Sequence, residues 1–154
     1  ELLPPSSLNL EDWKRFYSNN DTKPDAMNWF WDNFDAEGYS IWRVDYKYND
    51  ELAKVFMSSN LIGGFFARLE RARKYAFGVL NVYGADNANQ IGGYFVIRGQ
   101  EVPFEVYDAA DFESYNFVKV EDIKDEAFRA ALGDVFAWEG SQNGNAFADG
   151  KVFK

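Results

Sequence analysis

The sequence predicts a single compact α+β domain, with a mostly antiparallel sheet of about five strands flanked by helices. Stretches in which apolar and polar residues alternate recur between residues 39 and 120, as expected for strands joined by hairpins. Stretches with apolar residues three or four positions apart, typical of helices, lie among and on both sides of them. The length of 154 residues fits one domain, and 47% hydrophobic residues suffice for a packed core.

The chain is predicted to start with the end of a linker, residues 1–8, followed by the domain itself, residues 9–154. Two adjacent prolines exclude a helix from this linker. Asn9 is predicted to cap the first helix, over residues 10–18. A second helix is predicted to begin at Thr22, which has a proline two residues later in the first turn.

The residue pattern between positions 39 and 75 predicts one strand and two helices. Residues 39–48 alternate strictly, which predicts a strand with one apolar face. Helices are predicted over residues 51–57 and 61–75, and the polar run SSN separates them. A glycine pair inside the second of these helices predicts that another element packs closely against it.

Four further strands complete the predicted sheet. Residues 77–83 and 91–98 are predicted to form a hairpin around the loop GADNANQ. Residues 101–107 are predicted to be a short edge strand, because their proline cannot donate to a ladder on both sides. Residues 115–120 are the fifth predicted strand. A last helix is predicted from a cap at Asp122, and the tail after it is predicted to pack back on the domain.

The composition excludes several classes of function. The chain contains no histidine and no cysteine, which excludes Ser-His-Asp triads, Cys-His dyads and zinc sites built on these residues. We predict a chain that is not an enzyme and that holds no metal and no cofactor. The lack of cysteine favours a reducing compartment, and no apolar run is long enough to cross a bilayer. A cytoplasmic protein without a transmembrane segment is therefore predicted.

The charge is unevenly distributed along the chain. A formal net charge of −9, from 16 Lys+Arg and 25 Asp+Glu, disfavours strong binding to nucleic acid. Residues 61–100 nevertheless contain five basic and two acidic residues, whereas residues 101–140 contain three basic and eleven acidic ones. The basic residues form either a surface that docks an acidic partner or an ordinary solvated helix face. The candidate interaction surface consists of Asn60, Arg68, Arg71, Lys74, Arg98 and Gln100, and Arg68, Arg71 and Lys74 are spaced to follow one side of a helix.

Two other functions stay open at this point. The 15 Phe, 9 Tyr and 5 Trp allow an aromatic cleft that binds a carbohydrate or another small ligand, which would leave several ring faces in solvent. Acidic residues beside aromatic ones, such as Asp45 and Glu139, allow a hydrolase that uses two carboxylates. The glycine-containing segment 84–93 lacks the pattern of a phosphate loop and predicts a hairpin instead.

Six motifs in the chain resemble one known family. They are WKRFYSNND (13–21), WFWDNFDAEGYSIWRVDYKY (29–48), FMSSNLIGGFFARLERARKYAFG (56–78), FVIRGQEVPFEV (95–106), FAWEG (136–140) and GKVFK (150–154). In their order and extent, from about Leu8 to Lys154, they resemble the conserved C-terminal domain of the gamma subunit of eukaryotic translation elongation factor 1.

The resemblance implies an α+β domain with a central antiparallel sheet. It implies a non-catalytic role, either scaffolding the guanine-nucleotide-exchange subunits of the elongation factor 1 complex or docking other partners during protein synthesis. Association with those subunits is implied mainly through an N-terminal domain that this sequence lacks. Two departures, Ser59 where several relatives carry Cys and no histidine near residues 141–146, argue against a redox or metal role.

Overall fold

The computed structural model describes residues 5–154, which form a six-stranded antiparallel sheet with helices on both faces. The α-helices are α1 (Leu10–Asn19), α2 (Met27–Asn33), α3 (Val55–Arg68), α4 (Phe104–Tyr107) and α5 (Glu126–Phe136). The strands are β1 (Tyr39–Tyr46), β2 (Ala76–Ala85), β3 (Ala88–Arg98), β4 (Tyr115–Lys119), β5 (Ser141–Gln142) and β6 (Asn145–Phe153). They lie in the order β4-β1-β3-β2-β6-β5. The predicted α+β class is confirmed, with six strands rather than about five.

The sheet separates two apolar cores. One core packs α1, α2 and α5 against the sheet, and the other packs α3 against the opposite face. Both faces of β1 are therefore buried: Ile41 belongs to the first core and Val44 to the second. The prediction that this strand has one apolar face is wrong, because helices cover the sheet on both sides.

Helix α1 anchors the first core. The predicted cap is confirmed, since the Asn9 side-chain oxygen accepts a hydrogen bond from the Asp12 amide at 3.1 Å. Trp13 is fully buried, and five aromatic rings surround it with centroids 4.9–6.1 Å away. Those five rings belong to Tyr17, Trp29, Phe30, Phe77 and Phe136.

The chain before and after α1 departs from the prediction in detail. Of the predicted linker end, residues 1–4 lie outside the described residues, while Leu8 is buried and the Ser6 hydroxyl donates to the Asp35 carboxylate at 2.7 Å. The helix predicted from Thr22 begins as a wide turn, Thr22–Ala26, that leads into α2. Thr22 does not cap it.

Helix α3 is continuous where two helices were predicted. Ser58 and Ser59 are buried, and their hydroxyls donate to the side-chain oxygens of Asn89 and Asp149, both at 2.6 Å. The polar run SSN continues the helix because these serines find partners on β3 and β6. The helix ends at Arg68, earlier than predicted, and a short 3-10 turn, Glu70–Ala72, follows it.

The predicted edge strand over residues 101–107 is wrong. Pro103 precedes α4, in which Val106 is buried and the two terminal aromatic residues face solvent. The tail, predicted only to pack back, instead supplies β5 and β6, and β6 pairs with β2 in the middle of the sheet. Asp125 rather than Asp122 caps α5, since its carboxylate accepts from the Phe128 amide at 2.9 Å.

Alkaline pH is expected to destabilise the fold through its buried tyrosines. Burial raises the pKa of Tyr17 to about 12, and its hydroxyl donates to the Phe136 carbonyl oxygen at 2.6 Å. Burial also raises the pKa of Tyr83 and of Tyr115. An unfolded tyrosine titrates near pH 10. Because the folded state holds these protons more tightly, their stabilisation is complete below about pH 10 and is lost as the pH rises toward 12.

Urea unfolding between about pH 9 and pH 12 checks this prediction. The free energy of unfolding should fall across that range, and Tyr17→Phe should make the fall shallower because one titrating group is removed. A free energy of unfolding that stays level up to pH 12 would contradict the assignment.

Candidate interaction surface

Two of the six predicted surface residues, Arg71 and Lys74, line the same surface groove. They follow the end of α3 rather than continuing it, so the prediction that Arg68, Arg71 and Lys74 climb one side of a helix is wrong. Arg68 is the last residue of α3, and its guanidinium forms an ion pair with the Asp111 carboxylate, with Nη2 and Oδ2 2.7 Å apart. Asn60 is exposed on α3 and does not line the groove.

Arg98 and Gln100 hold the turn before β1. The Arg98 guanidinium donates to the Gly38 carbonyl oxygen at 2.7 Å and lies over the Tyr39 ring, 5.4 Å from its centroid. The Gln100 side-chain amide donates to the carbonyl oxygens of Ala36, Glu37 and Tyr39 at 3.0–3.1 Å. These contacts give both residues a structural task at this turn.

The groove that Arg71 and Lys74 line, hereafter the basic groove, has a volume of about 600 Å³. Its walls come from α1, the turn after α3, α4 and the last residue. Three acidic residues line it, Glu11, Glu70 and Glu105. Its five basic residues are Lys14, Arg71, Arg73, Lys74 and Lys154. The groove is thus locally positive on a chain with a net charge of −9.

Lys14 ties the walls of the basic groove together. It is 7% exposed, and its ammonium group donates to the Arg73 carbonyl oxygen. Burial lowers the pKa of Lys14, and the Glu11 carboxylate, 3.9 Å away, opposes this effect. This contact joins α1 to the turn after α3, so the fold itself sets the shape of the groove.

The exposed cations Arg71, Arg73 and Lys74 of the groove form weak ion pairs or none. Arg71 pairs with Asp108 at 3.2 Å and Arg73 with Glu70 at 3.3 Å, and all four side chains are more than half exposed. Exposed pairs of this kind each stabilise a fold by only about 0.2–1 kcal/mol. Among the described residues, no carboxylate pairs with Lys74. These cations can therefore exchange their partners for an incoming carboxylate at little cost.

An aromatic pair adjoins the basic groove. Phe104 and Tyr107, the two ends of α4, are 51% and 53% exposed, and their rings meet edge to face with centroids 5.6 Å apart. Arg71 connects this pair to the groove, since its guanidinium lies over the Phe104 ring at 5.5 Å.

Both carboxylates singled out from the sequence form ion pairs. Asp45 pairs with Arg43 at 2.8 Å, and Glu139 pairs with Lys23 at 3.1 Å. Within residues 5–154, no group of three or more acidic residues is placed to hold a metal ion. No helix in that range is both long enough and apolar enough to cross a membrane.

Comparison with known proteins gives the family. A family model described as elongation factor 1 gamma, conserved domain, matches residues 1–101 of the 154. This chain belongs to that family. The match runs from α1 to the end of β3 and includes four of the five basic residues of the groove, Lys154 being the exception. The resemblance seen in the sequence motifs is confirmed.

Curated relatives extend the similarity over the rest of the chain. Elongation factor 1-gamma 1 of Saccharomyces cerevisiae is 49% identical over 160 residues, covering 100% of this chain and 38% of the relative. Elongation factor 1-gamma of Schizosaccharomyces pombe is 48% identical, covering 98% and 37%. That of Danio rerio is 44% identical, covering 99% and 35%. The chain therefore spans little more than a third of the length of the curated relatives it matches.

Sequence reasoning missed three basic residues of the groove. Arg73 does not share the spacing of three residues that relates Arg68, Arg71 and Lys74. Lys14 and Lys154 lie far from that segment in the chain, and only the packing of α1 and the pairing of β6 with β2 bring them near it. A short-range pattern contains no signal for either contact.

Proposed function

We propose that this chain is a non-catalytic interaction domain of the translation elongation factor 1 complex and that it works in the cytoplasm. Membership of the elongation factor 1 gamma family supports the assignment to this complex. The observation that carries the docking role is the basic groove, a locally positive concave surface on an acidic chain. Through this groove the domain either scaffolds the guanine-nucleotide-exchange subunits or docks other proteins during protein synthesis.

Electrostatics favours a protein partner with an acidic surface. Charges of opposite sign across an interface speed association and fix its orientation, so the locally positive groove favours an acidic patch on the partner. The net charge of −9 opposes the approach of any extended polyanion. The groove itself contains three carboxylates among its cations, which disfavours a continuous phosphate chain further. Strong binding to nucleic acid is therefore not expected.

The burial of most aromatic side chains argues against the alternative of a carbohydrate-binding cleft. Most aromatic side chains among the described residues pack in the two cores. The exposed pair on α4 meets edge to face at 88°, so it offers no flat platform for a sugar ring.

Affinity capture from a cell lysate tests the proposed docking role. The bait is this chain, as wild type and with the groove residues Arg71, Arg73 and Lys74 all replaced by Glu, and captured proteins are quantified by mass spectrometry. We expect elongation factor 1 subunits or other translation proteins on the wild type, released by raised salt and reduced about tenfold or more by the triple reversal.

A second triple variant controls for net charge. Lys47, Lys54 and Lys124 are exposed and do not line the basic groove, so their replacement by Glu makes the same charge change elsewhere. Circular dichroism must show that each bait is folded. Equal capture by all three baits would contradict the docking role, as would a wild-type bait that captures no translation protein.

A further inference from the structure

The basic groove and the aromatic pair form one continuous surface, and Arg71 connects its two parts. The Arg71 guanidinium lines the groove and also lies over the Phe104 ring. Glu105, on the same short helix as the pair, lines the groove as well. Val106 is fully buried beneath that helix, which fixes the direction in which Phe104 and Tyr107 project.

We propose that this surface binds an acidic peptide segment that carries an aromatic or long aliphatic side chain. The inference rests on the proposed function and names the chemistry of the partner. Carboxylates of the segment pair with Lys74, Arg73 and Lys154, and its apolar side chain packs on the exposed edges of Phe104 and Tyr107.

The exposed aromatic pair favours a partner with an apolar side chain. Large aromatic side chains that lie half exposed side by side bury apolar surface when a partner covers them, and aromatic residues are enriched at such contacts. Lys74 favours an acidic residue on the partner, because no carboxylate of the described residues forms an ion pair with it. A partner with both features binds more tightly than a partner with one, because it contacts the groove and the aromatic pair together.

RNA is the competing occupant of a surface that is basic and aromatic, and the geometry disfavours it. Base stacking needs an open ring face. One face of Phe104 is covered by Arg71, and the rings of Phe104 and Tyr107 meet edge to face.

Fluorescence anisotropy with labelled probes tests the proposal. The probes are a glutamate-rich peptide with one central phenylalanine, the same peptide with alanine there, its glutamine counterpart and a single-stranded RNA. We expect the first peptide to bind most tightly and to lose about fivefold or more in affinity when its phenylalanine is replaced. The glutamine peptide should bind at least about tenfold more weakly than the first.

Variants of the chain locate the binding. Phe104→Ala should weaken only the peptide that contains phenylalanine, and Lys74→Glu should weaken both glutamate peptides. The controls Phe56→Ala and Lys124→Glu, at exposed residues outside this surface, should change neither affinity.

Three results would overturn the inference. They are no saturable binding of the acidic peptide, equal affinity with and without its phenylalanine, and RNA that binds more tightly and displaces the peptide. If the capture experiment succeeds and these probes fail, the chain is an interaction domain with a partner of different chemistry. If acidic peptide binds but no translation protein is captured, the proposed function fails and the peptide site stands.

Discussion

Replacing Trp13 by alanine is expected to lower the free energy of unfolding by about 3–5 kcal/mol, the usual cost of removing a large buried aromatic ring. Trp13 is fully buried at the meeting point of α1, α2, α5 and the sheet, with five rings around it. Its indole nitrogen has no hydrogen-bond partner among the described residues. The stabilisation therefore comes from ring packing, and truncation leaves a cavity that its rigid aromatic neighbours cannot fill.

Urea denaturation followed by far-ultraviolet circular dichroism measures this loss. Phe56→Ala is the matched control, because Phe56 is 64% exposed and its truncation should change stability by less than about 0.5 kcal/mol. Trp13→Phe should cost less than the alanine variant because most of the ring volume is kept. If Trp13→Ala and Phe56→Ala lose the same free energy, the position of the first core is wrong.

The second large effect is expected at Gly93, where alanine should destabilise the fold by about 1–3 kcal/mol or more through steric overlap. Gly93 lies on β3 opposite Leu80 of β2, in the middle of the sheet. A Cβ atom there would be 1.9 Å from the carbonyl oxygen of Val79, a backbone atom of the neighbouring strand. Relief requires the two central strands to move apart.

Gly63→Ala is the matched control for Gly93→Ala, with an effect of opposite sign. On α3, a Cβ at Gly63 would meet only the end of the Lys151 side chain, at 3.8 Å. The prediction that another element packs closely against the glycine pair is therefore wrong at Gly63. Alanine there should raise stability by up to about 1 kcal/mol because of its better helix propensity. Urea unfolding measures the free energy of unfolding of both variants. A Gly93→Ala variant as stable as the wild type would contradict the strand register.

Elements that local patterns specify were predicted well. The Asn9 cap and the spacing of apolar residues gave α1, and alternation gave β1. The polar loop GADNANQ between two apolar segments gave the β2–β3 hairpin, whose strands are longer than predicted. In each case the signal lies within a few neighbouring residues. Long aromatic motifs also gave the family, which the comparisons confirm.

Elements that depend on distant partners were predicted poorly. The run SSN predicts a break in the helix, because nothing near it in the sequence indicates that Asn89 and Asp149 accept hydrogen bonds from Ser58 and Ser59. In strand β6 the consecutive residues Asp149, Gly150 and Lys151 interrupt the alternation of apolar and polar residues, and its pairing with β2 shifts register at Val82. Its place in the sheet is therefore fixed by its partner β2 rather than by its own pattern.

The candidate surface shows the same limit. Arg71 and Lys74 could be proposed from charge along the chain, but the groove they line also needs α1 and the last residue. Arg98 and Gln100, which the charge count placed in the same group, have side chains that bond to the turn before β1. Charge in a sequence window does not say which way each side chain points.

Amide hydrogen exchange, measured on this chain alone and in complex with a translation protein recovered by the capture experiment, tests the central claim that the basic groove is the docking face. We expect slower exchange in the complex for residues 70–75 and for α1 and α4, which form the groove walls. Exchange in the β2–β3 hairpin turn, on which no docking contact is proposed, should stay unchanged. Slower exchange confined to that turn or to the edge strand β4, with the groove walls unaffected, would contradict the claim.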